Sequence, residues 1–243
     1  MSVNSWPQTT GDDLGTLAAV VTGGSRGIGR AIAAALAARG AQVAITGRTE
    51  DDLRAASGGG IHPVRADVGR PEQAAAAIDA AVLKLGGLDL LVNNAGVGWF
   101  GNVADMTTDQ WQEIIGTNLS AAFYCSRAAI PHLRHRGGGW IINISSLAGK
   151  NPFVGGAAYC ASKAGLDAFT QALMQEVRYD KIRVSNIAPG SVATGFGGRG
   201  EAGLHEWKIQ PQDIADLVVD LVTFPERSLP SRIELRPSRP KKA

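Results

Sequence analysis

Leu17-Ala18-Ala19-Val20-Val21-Thr22-Gly23-Gly24-Ser25-Arg26-Gly27-Ile28-Gly29 is the stretch that decides the fold. An apolar run ends in a glycine turn, and the turn opens into an alanine-rich segment over residues 28–39 that Gly40 closes. The order reads as strand, tight turn and helix start. Glycines there let the backbone come close to a bound pyrophosphate. The helix N-terminus behind them presents free amides and the positive end of its dipole. A glycine pattern carries meaning only in that strand-to-helix setting, and this one has it.

The same alternation continues outward. Strands are predicted over 17–22, 42–46, 61–65, 88–92, 140–144, 182–187 and 232–235, with helices over 28–39, 51–56, 71–85, 108–136, 157–179 and 211–222. Pro71 suits a first helical turn and Gly86-Gly87 an ending, while Gly116 marks a break in the long fourth segment. Strands separated by helices imply parallel pairing and right-handed crossovers. The expectation is an α/β Rossmann fold: one domain, a doubly wound parallel sheet of about seven strands, helices on both faces. Residues 1–16 are expected to be a flexible extension, 17–235 the domain, 191–210 a short glycine-dense substrate loop, and 236–243 a basic, solvated tail.

Bulk properties exclude several classes. At 243 residues, 44% hydrophobic and 19% charged, the chain has the balance of an ordinary globular domain. A net charge of +2 gives no footprint for nucleic acid. Two cysteines, Cys125 and Cys160, make neither a disulfide framework nor a zinc site and read as small buried thiols. No apolar run approaches the ~18 residues of a membrane span, and the first fifteen residues lack the marks of a secretion signal. A cytoplasmic location and no membrane partner are expected.

Tyr159 and Lys163 carry the chemistry. Four residues apart on a predicted helix, they share one face. An ammonium beside a phenol favours the phenolate and pulls its pKa down from about 10, so the tyrosine can exchange a proton at working pH. Ser146 follows the run Trp140-Ile141-Ile142-Asn143-Ile144-Ser145, which places its hydroxyl at a strand's carboxyl end, where open α/β sheets bind ligands.

The second strand speaks to the cofactor. A free ribose 2′-hydroxyl wants a carboxylate at its end, but Ala44-Ile45-Thr46-Gly47-Arg48 supplies glycine and arginine. Arg26 in the turn is a second cation. Two guanidiniums suit a 2′-phosphate, so NADP(H) is expected in preference to NAD(H).

Together these motifs resemble the short-chain dehydrogenase/reductase family, in its compact single-domain branch, and especially 3-oxoacyl-carrier-protein-reductase-like members. The resemblance spans about residues 17–235. Thr22-Gly23-Gly24-Ser25-Arg26-Gly27-Ile28-Gly29 looks like the family's TGxxxGxG turn. It implies cofactor contacts from Gly23, Ser25, Arg26, Gly27, Ile28 and Gly29, with Arg48 beside them. Asp67-Val68 resembles the pair that meets the adenine. Asn93-Asn94-Ala95-Gly96 resembles the segment steadying the central sheet, with Asn94, Ala95 and Gly96 at the cofactor. Pro189-Gly190-Ser191-Val192-Ala193-Thr194 resembles the nicotinamide-side segment, contributing Pro189, Gly190, Val192 and Thr194.

Asn118, Ser146, Tyr159 and Lys163 then stand as the catalytic four. The resemblance implies hydride transfer between nicotinamide and a carbonyl or secondary alcohol. Tyr159 is the general acid/base and Ser146 positions the oxygen. Lys163 also holds the nicotinamide ribose, and Asn118 holds a water in the proton relay. A homotetramer or homodimer is implied as well. Ser145 competes with Ser146, but the thirteen-residue spacing to Tyr159 selects Ser146, and adjacent strand residues face opposite ways.

Two departures stand out. Relatives commonly end their last strand near Asp-Gly-Gly, whereas this chain has Ile233-Glu234-Leu235-Arg236-Pro237. The loop 191–210 is short, with Phe196 and Trp207 as its bulky anchors. Trp99, Phe100, Leu147, Phe153 and Phe196 are expected pocket walls, suited to an apolar or aromatic ketone. Competing readings are an alcohol dehydrogenase working mainly in oxidation, a cofactor-binding sensor without turnover, and a longer-branch sugar epimerase. The last needs more sequence after the sixth strand than this chain has.

Overall fold

The computed structural model describes residues 13–198 and 207–240. In chain order the elements are β1 (Ala18–Val21), α1 (Gly27–Ala37), β2 (Gln42–Gly47), α2 (Glu50–Ala55), β3 (Ile61–Arg65), α3 (Pro71–Leu85) and β4 (Leu90–Asn93). They continue as α4 (Thr108–Ile115), α5 (Ala121–Arg136), β5 (Gly139–Ile144), α6 (Ala157–Val177), β6 (Ile182–Pro189), α7 (Pro211–Val222) and β7 (Arg232–Leu235). The strands lie in the order β3-β2-β1-β4-β5-β6-β7, every neighbouring pair parallel. The expected doubly wound Rossmann sheet is the observed one.

Alternation along β1 divides the core. Ala19 and Val21 face one layer with Ile32 and Leu36 of α1, Leu53 of α2 and Ile214 and Val218 of α7. Val20 faces the other with Ile78 of α3, Cys125 and Leu133 of α5 and Leu173 of α6. Period-two side-chain direction thus feeds two cores from one strand. Each fully buried Ile or Leu contributes about 1.5–3 kcal/mol relative to exposure.

Three expectations shift. The packed domain begins earlier than residue 17, because Leu14 is buried and its amide donates to the Arg39 carbonyl at 2.7 Å. The rest of the expected extension, 1–12, lies outside the described residues, as do 199–206 of the substrate loop and 241–243 of the tail. The fourth strand spans Leu90–Asn93, two residues shorter at its start than expected. Asp89 just before it still bonds both neighbouring strands through its main chain, and its buried carboxylate accepts from Arg136 Nε at 2.7 Å and Ala18 N at 2.9 Å. At Gly116 the helix widens instead of breaking. Residues Gly116–Ser120 form a π turn, and the Ala121 amide reaches the Gly116 carbonyl. Such a bulge lodges an extra residue on the helix and recurs at functional sites.

The atypical carboxyl end also finds its place. β7 pairs with β6, Gly190 N donates to Leu235 O at 2.8 Å, and Glu234 is held by Lys150 and Arg236. That double pairing holds the Glu234 carboxyl down at about 2.

Candidate active site

The strand order reverses between β1 and β4, and the carboxyl ends there form the crevice in which such sheets hold ligands. Thr22 closes one side. Its Oγ1 accepts from the amides of Asn94 and Ala95, each at 3.0 Å, and so ties the end of β1 to the end of β4. Asn94 turns its amide back onto the glycine turn, donating to Thr22 O at 2.9 Å and Gly23 O at 3.2 Å. Asn93 points the other way, into the sheet, donating to Asn143 Oδ1 and Ser126 Oγ.

The glycines of the turn have no room for side chains. A Cβ on Gly23, whose φ is +63°, would lie 2.9 Å from Ala95 Cα. One on Gly29 would lie 2.4 Å from both Asn94 Nδ2 and Gly23 O. Helix α1 begins behind them with no side-chain cap and no acidic residue in its first turn. Across the crevice, Thr194 comes within 3.5 Å of where a Gly27 Cβ would be, so the segment after β6 faces the turn. Pro189 ends β6, and Val192 pairs with Ile209 at the base of the loop.

The residues expected around adenosine are more committed than the sequence suggests. Arg48 Nη1 pairs with Glu113 Oε1 at 3.3 Å, and Glu113 Oε2 accepts from the Trp99 indole at 3.0 Å. Arg26 is exposed at the crevice rim. Arg65 ends β3 with its Nε on the Arg48 carbonyl at 3.3 Å. Asp67 Oδ1 accepts from the Gly69 amide at 3.1 Å, which makes it in part a turn-former, and Val68 is buried.

On the opposite flank, Ser146, Tyr159 and Lys163 come together. Ser146 follows β5 and opens a short 3₁₀ turn, accepting from Ala148 N at 3.2 Å. Burial pushes the Tyr159 pKa up, the nearby Ser146 hydroxyl opposes the rise, and Cys160 adds to it. Lys163 Nζ lies 5.9 Å from the Tyr159 ring centroid and donates to Ile144 O at 2.9 Å. Its own pKa falls to about 8 because it is buried, an effect that Asp167 opposes.

The expectation that Lys163 pulls the tyrosine's pKa down is therefore corrected for this arrangement. The ammonium is aimed at a carbonyl at the end of β5, and desolvation of the phenol prevails.

Ser145 turns away, as its strand position requires. Its hydroxyl donates to the buried carboxylate of Asp167, which also accepts from Asn186 Nδ2 at 2.7 Å and Arg232 Nη2 at 3.1 Å. Asn118, on the π turn, is buried. It accepts from Val97 N at 2.8 Å and donates to Val97 O at 2.9 Å and Ser162 Oγ at 3.1 Å. Both of its N–H groups are spent on holding the loop after β4 against α6.

Of the expected walls, Phe100 and Phe196 both stack on Tyr159, and Phe153 lies against Phe100. Trp99 instead turns to Glu113, and Leu147 lies 3.1 Å from where a Gly190 Cβ would be. Glu113, Arg65 and Asp167 escaped the sequence reading. Only Arg65 had a signal: it is level with Gly47 at the ends of paired strands.

Residues 17–202 match the short chain dehydrogenase family, and the chain belongs to it. An uncharacterized oxidoreductase of Staphylococcus aureus is 33% identical over 223 residues, covering 90% of this chain and 96% of its own. A metagenomic short-chain oxidoreductase solved in complex with NADP is 40% identical, with a TM-score of 0.82 over 93% of this chain and 99% of its own. An alcohol dehydrogenase from Thermococcus sibiricus, complexed with 5-hydroxy-NADP, is 28% identical, with a TM-score of 0.85 over 92% and 98%. Among the described residues no helix is long and apolar enough to cross a membrane, and no cluster of His, Cys, Asp or Glu is set to hold a metal.

Proposed function

We propose that the protein is an NADP(H)-dependent oxidoreductase that interconverts a carbonyl compound and its secondary alcohol. One observation carries the reading: Ser146, Tyr159 and Lys163 converge at the carboxyl end of β5, the serine hydroxyl near enough to the phenol to favour its ionised form and the Lys163 ammonium 5.9 Å from that ring. When bound, the nicotinamide supplies or takes up the hydride.

The crevice suits a dinucleotide. Gly23, Gly24 and Gly29 leave backbone where a Cβ would collide, and the uncapped start of α1 offers Gly27, Ile28 and Gly29 amides to a pyrophosphate. Gly23, Ser25 and Arg26 complete that cradle. Arg48, with Arg26, would meet the 2′-phosphate, and Asp67 and Val68 the adenine. Asn94, Ala95 and Gly96 would line the floor, and Pro189, Gly190, Val192 and Thr194 the nicotinamide side. The NADP named in one relative's complex agrees with this preference.

Ser146 holds the substrate oxygen beside the phenol, and Tyr159 donates the proton as negative charge develops there. A buried phenol that stays protonated at neutral pH is in the state this donation needs. The phenolate left behind is stabilised by the Ser146 hydroxyl beside it, and Lys163 would hold the nicotinamide ribose. Asn118 reaches a relay water through its remaining Oδ1 lone pair or its carbonyl, since both side-chain N–H groups are used. Oxidation runs through the same groups in reverse.

Assembly into a homo-oligomer belongs to the same reading. Phe123, 45% exposed on α5, stands edge-on to Tyr124 and to Phe169 of α6, an aromatic face that a second copy would cover.

The test is direct titration with NADPH and NADH, followed by NADPH consumption against ketones, acyl thioesters and quinones. The account expects NADPH to bind at least tenfold more tightly and a ketone to be reduced. Tight NADPH binding with silence across the panel would favour a sensor.

A further inference from the structure

Two rings crowd the one phenol that the proposed function makes reactive, and a third backs one of them. Phe100, on the loop after β4, meets the Tyr159 ring edge-on at 5.7 Å between centroids and 69° between planes. Phe196, on the loop after β6, meets the same ring at 5.6 Å and 55°. Phe153, on the loop after β5, lies 5.9 Å from Phe100 at 43°. All three are partly open, at 38%, 37% and 47% exposure, so they border the approach to Tyr159 and do not fill the core.

The backbone has been cleared to admit them. A Cβ on Gly98 would fall 2.6 Å from Phe196 Cε1, and one on Gly156 2.6 Å from Phe153 Cε2. Gly197 has a φ of +73°, and a Cβ there would fall 2.7 Å from Phe100 Cε2. Two of the loops are also tied together, Gly101 N donating to Gly155 O at 2.9 Å. Among the described residues, the segments that carry these rings are poor in charge. Residues 95–102 and the described residues 191–198 contain nothing ionisable. Lys150, the one ionisable side chain of residues 147–156, is held by Glu234.

We propose that the substrate is an uncharged ketone with an aromatic ring next to its carbonyl, gripped between Phe196 on one side and Phe100 with Phe153 on the other. The inference rests on the reductase reading above. Reduction then converts the aryl C=O to CH–OH: the carbon takes the hydride of NADPH, the oxygen takes the Tyr159 proton, and solvent restores that proton. Ring pairs of this geometry contribute about 0.5–1.5 kcal/mol each beyond the area they bury. Two pairs therefore give roughly a tenfold preference for an aryl group over a saturated ring of the same size. A thioester on an acidic carrier, which the sequence resemblance brings to mind, finds no free cation on these described segments.

The experiment compares methyl phenyl ketone, methyl cyclohexyl ketone and a phenyl keto acid as substrates with NADPH. A second readout needs no turnover: calorimetric binding of the phenyl and cyclohexyl alcohols to protein saturated with NADPH. The expected order is phenyl over cyclohexyl by about tenfold in both kcat/KM and affinity, with the keto acid poorest. Phe100→Leu and Phe196→Leu should each erase much of that preference, lowering kcat/KM and affinity more for the phenyl member than for the cyclohexyl member, with NADPH affinity measured alongside. Equal handling of the phenyl and cyclohexyl pair, or a preference that survives both substitutions, would overturn the inference and leave the reductase reading standing. Failure to reduce any ketone would overturn both.

Discussion

Asp167 lies one helical turn beyond Lys163 on α6, and its buried carboxylate opposes the fall in pKa that burial imposes on the lysine. Asp167 is itself held from three neighbouring strands: by Ser145 just after β5, Asn186 within β6 and Arg232 at the start of β7. The charged and titratable groups around Lys163 are thus Asp167, Arg232 behind it and Tyr159 in front. Asp167→Asn keeps the shape and removes the charge. Its kcat profile for ketone reduction should lose activity at lower pH on the alkaline side, by about one pH unit, because Lys163 sheds its proton earlier. A profile that superimposes on the parent would reduce Asp167 to a structural role.

Lys163 also carries a stability cost. Its pKa falls from 10.5 to about 8 on burial. Between those values the unfolded chain holds a proton that the folded protein has released, so stability rises with pH through that window and the cost is full below it. Lys163→Met should therefore be inactive yet more stable at pH 7 by about 1–3 kcal/mol, with the gain fading by pH 10. Urea unfolding at both pH values checks the sign.

Glu113 pairs with Arg48, so on the proposed NADP(H) reading it would compete with the 2′-phosphate for that guanidinium. The pair is substantially exposed and worth about 0.2–1 kcal/mol. Glu113→Gln should tighten NADPH about two- to fivefold and leave NADH unchanged. Arg48→Ala should weaken NADPH roughly tenfold or more, again sparing NADH. Fluorescence titration of both cofactors separates these outcomes from a general loosening of the crevice.

Gly29→Ala tests the cradle. Its Cβ would fall 2.4 Å from the Asn94 amide that props the turn. NADPH affinity should drop at least tenfold, with about 1–3 kcal/mol lost from stability, read by titration and thermal melting.

Much of this was legible in the sequence for physical reasons. Strands buried on both faces give unbroken apolar runs such as Ala18–Val21, and glycines at strand ends mark where backbone must pass close to something. The spacing from Ser146 to Tyr159 picked the serine that the fold brings beside the phenol, because strand alternation sends Ser145 to Asp167. What stayed hidden depended on contacts distant in sequence. Arg48 meets a partner 65 residues away, and Asp167 meets Arg232 at the same separation. The π turn was unreadable because Gly116 looks the same in a break and a bulge. The Lys163 ammonium could not be aimed from helix spacing, since its Ile144 acceptor is a main-chain oxygen on another element.

The most direct measurement is NADPH oxidation by Tyr159→Phe with the best ketone, alongside its NADPH affinity. The account predicts that turnover falls roughly 10²-fold or more while affinity stays within about twofold of the parent. Reduction at the parent rate would contradict it, because the phenol would then not be the proton donor.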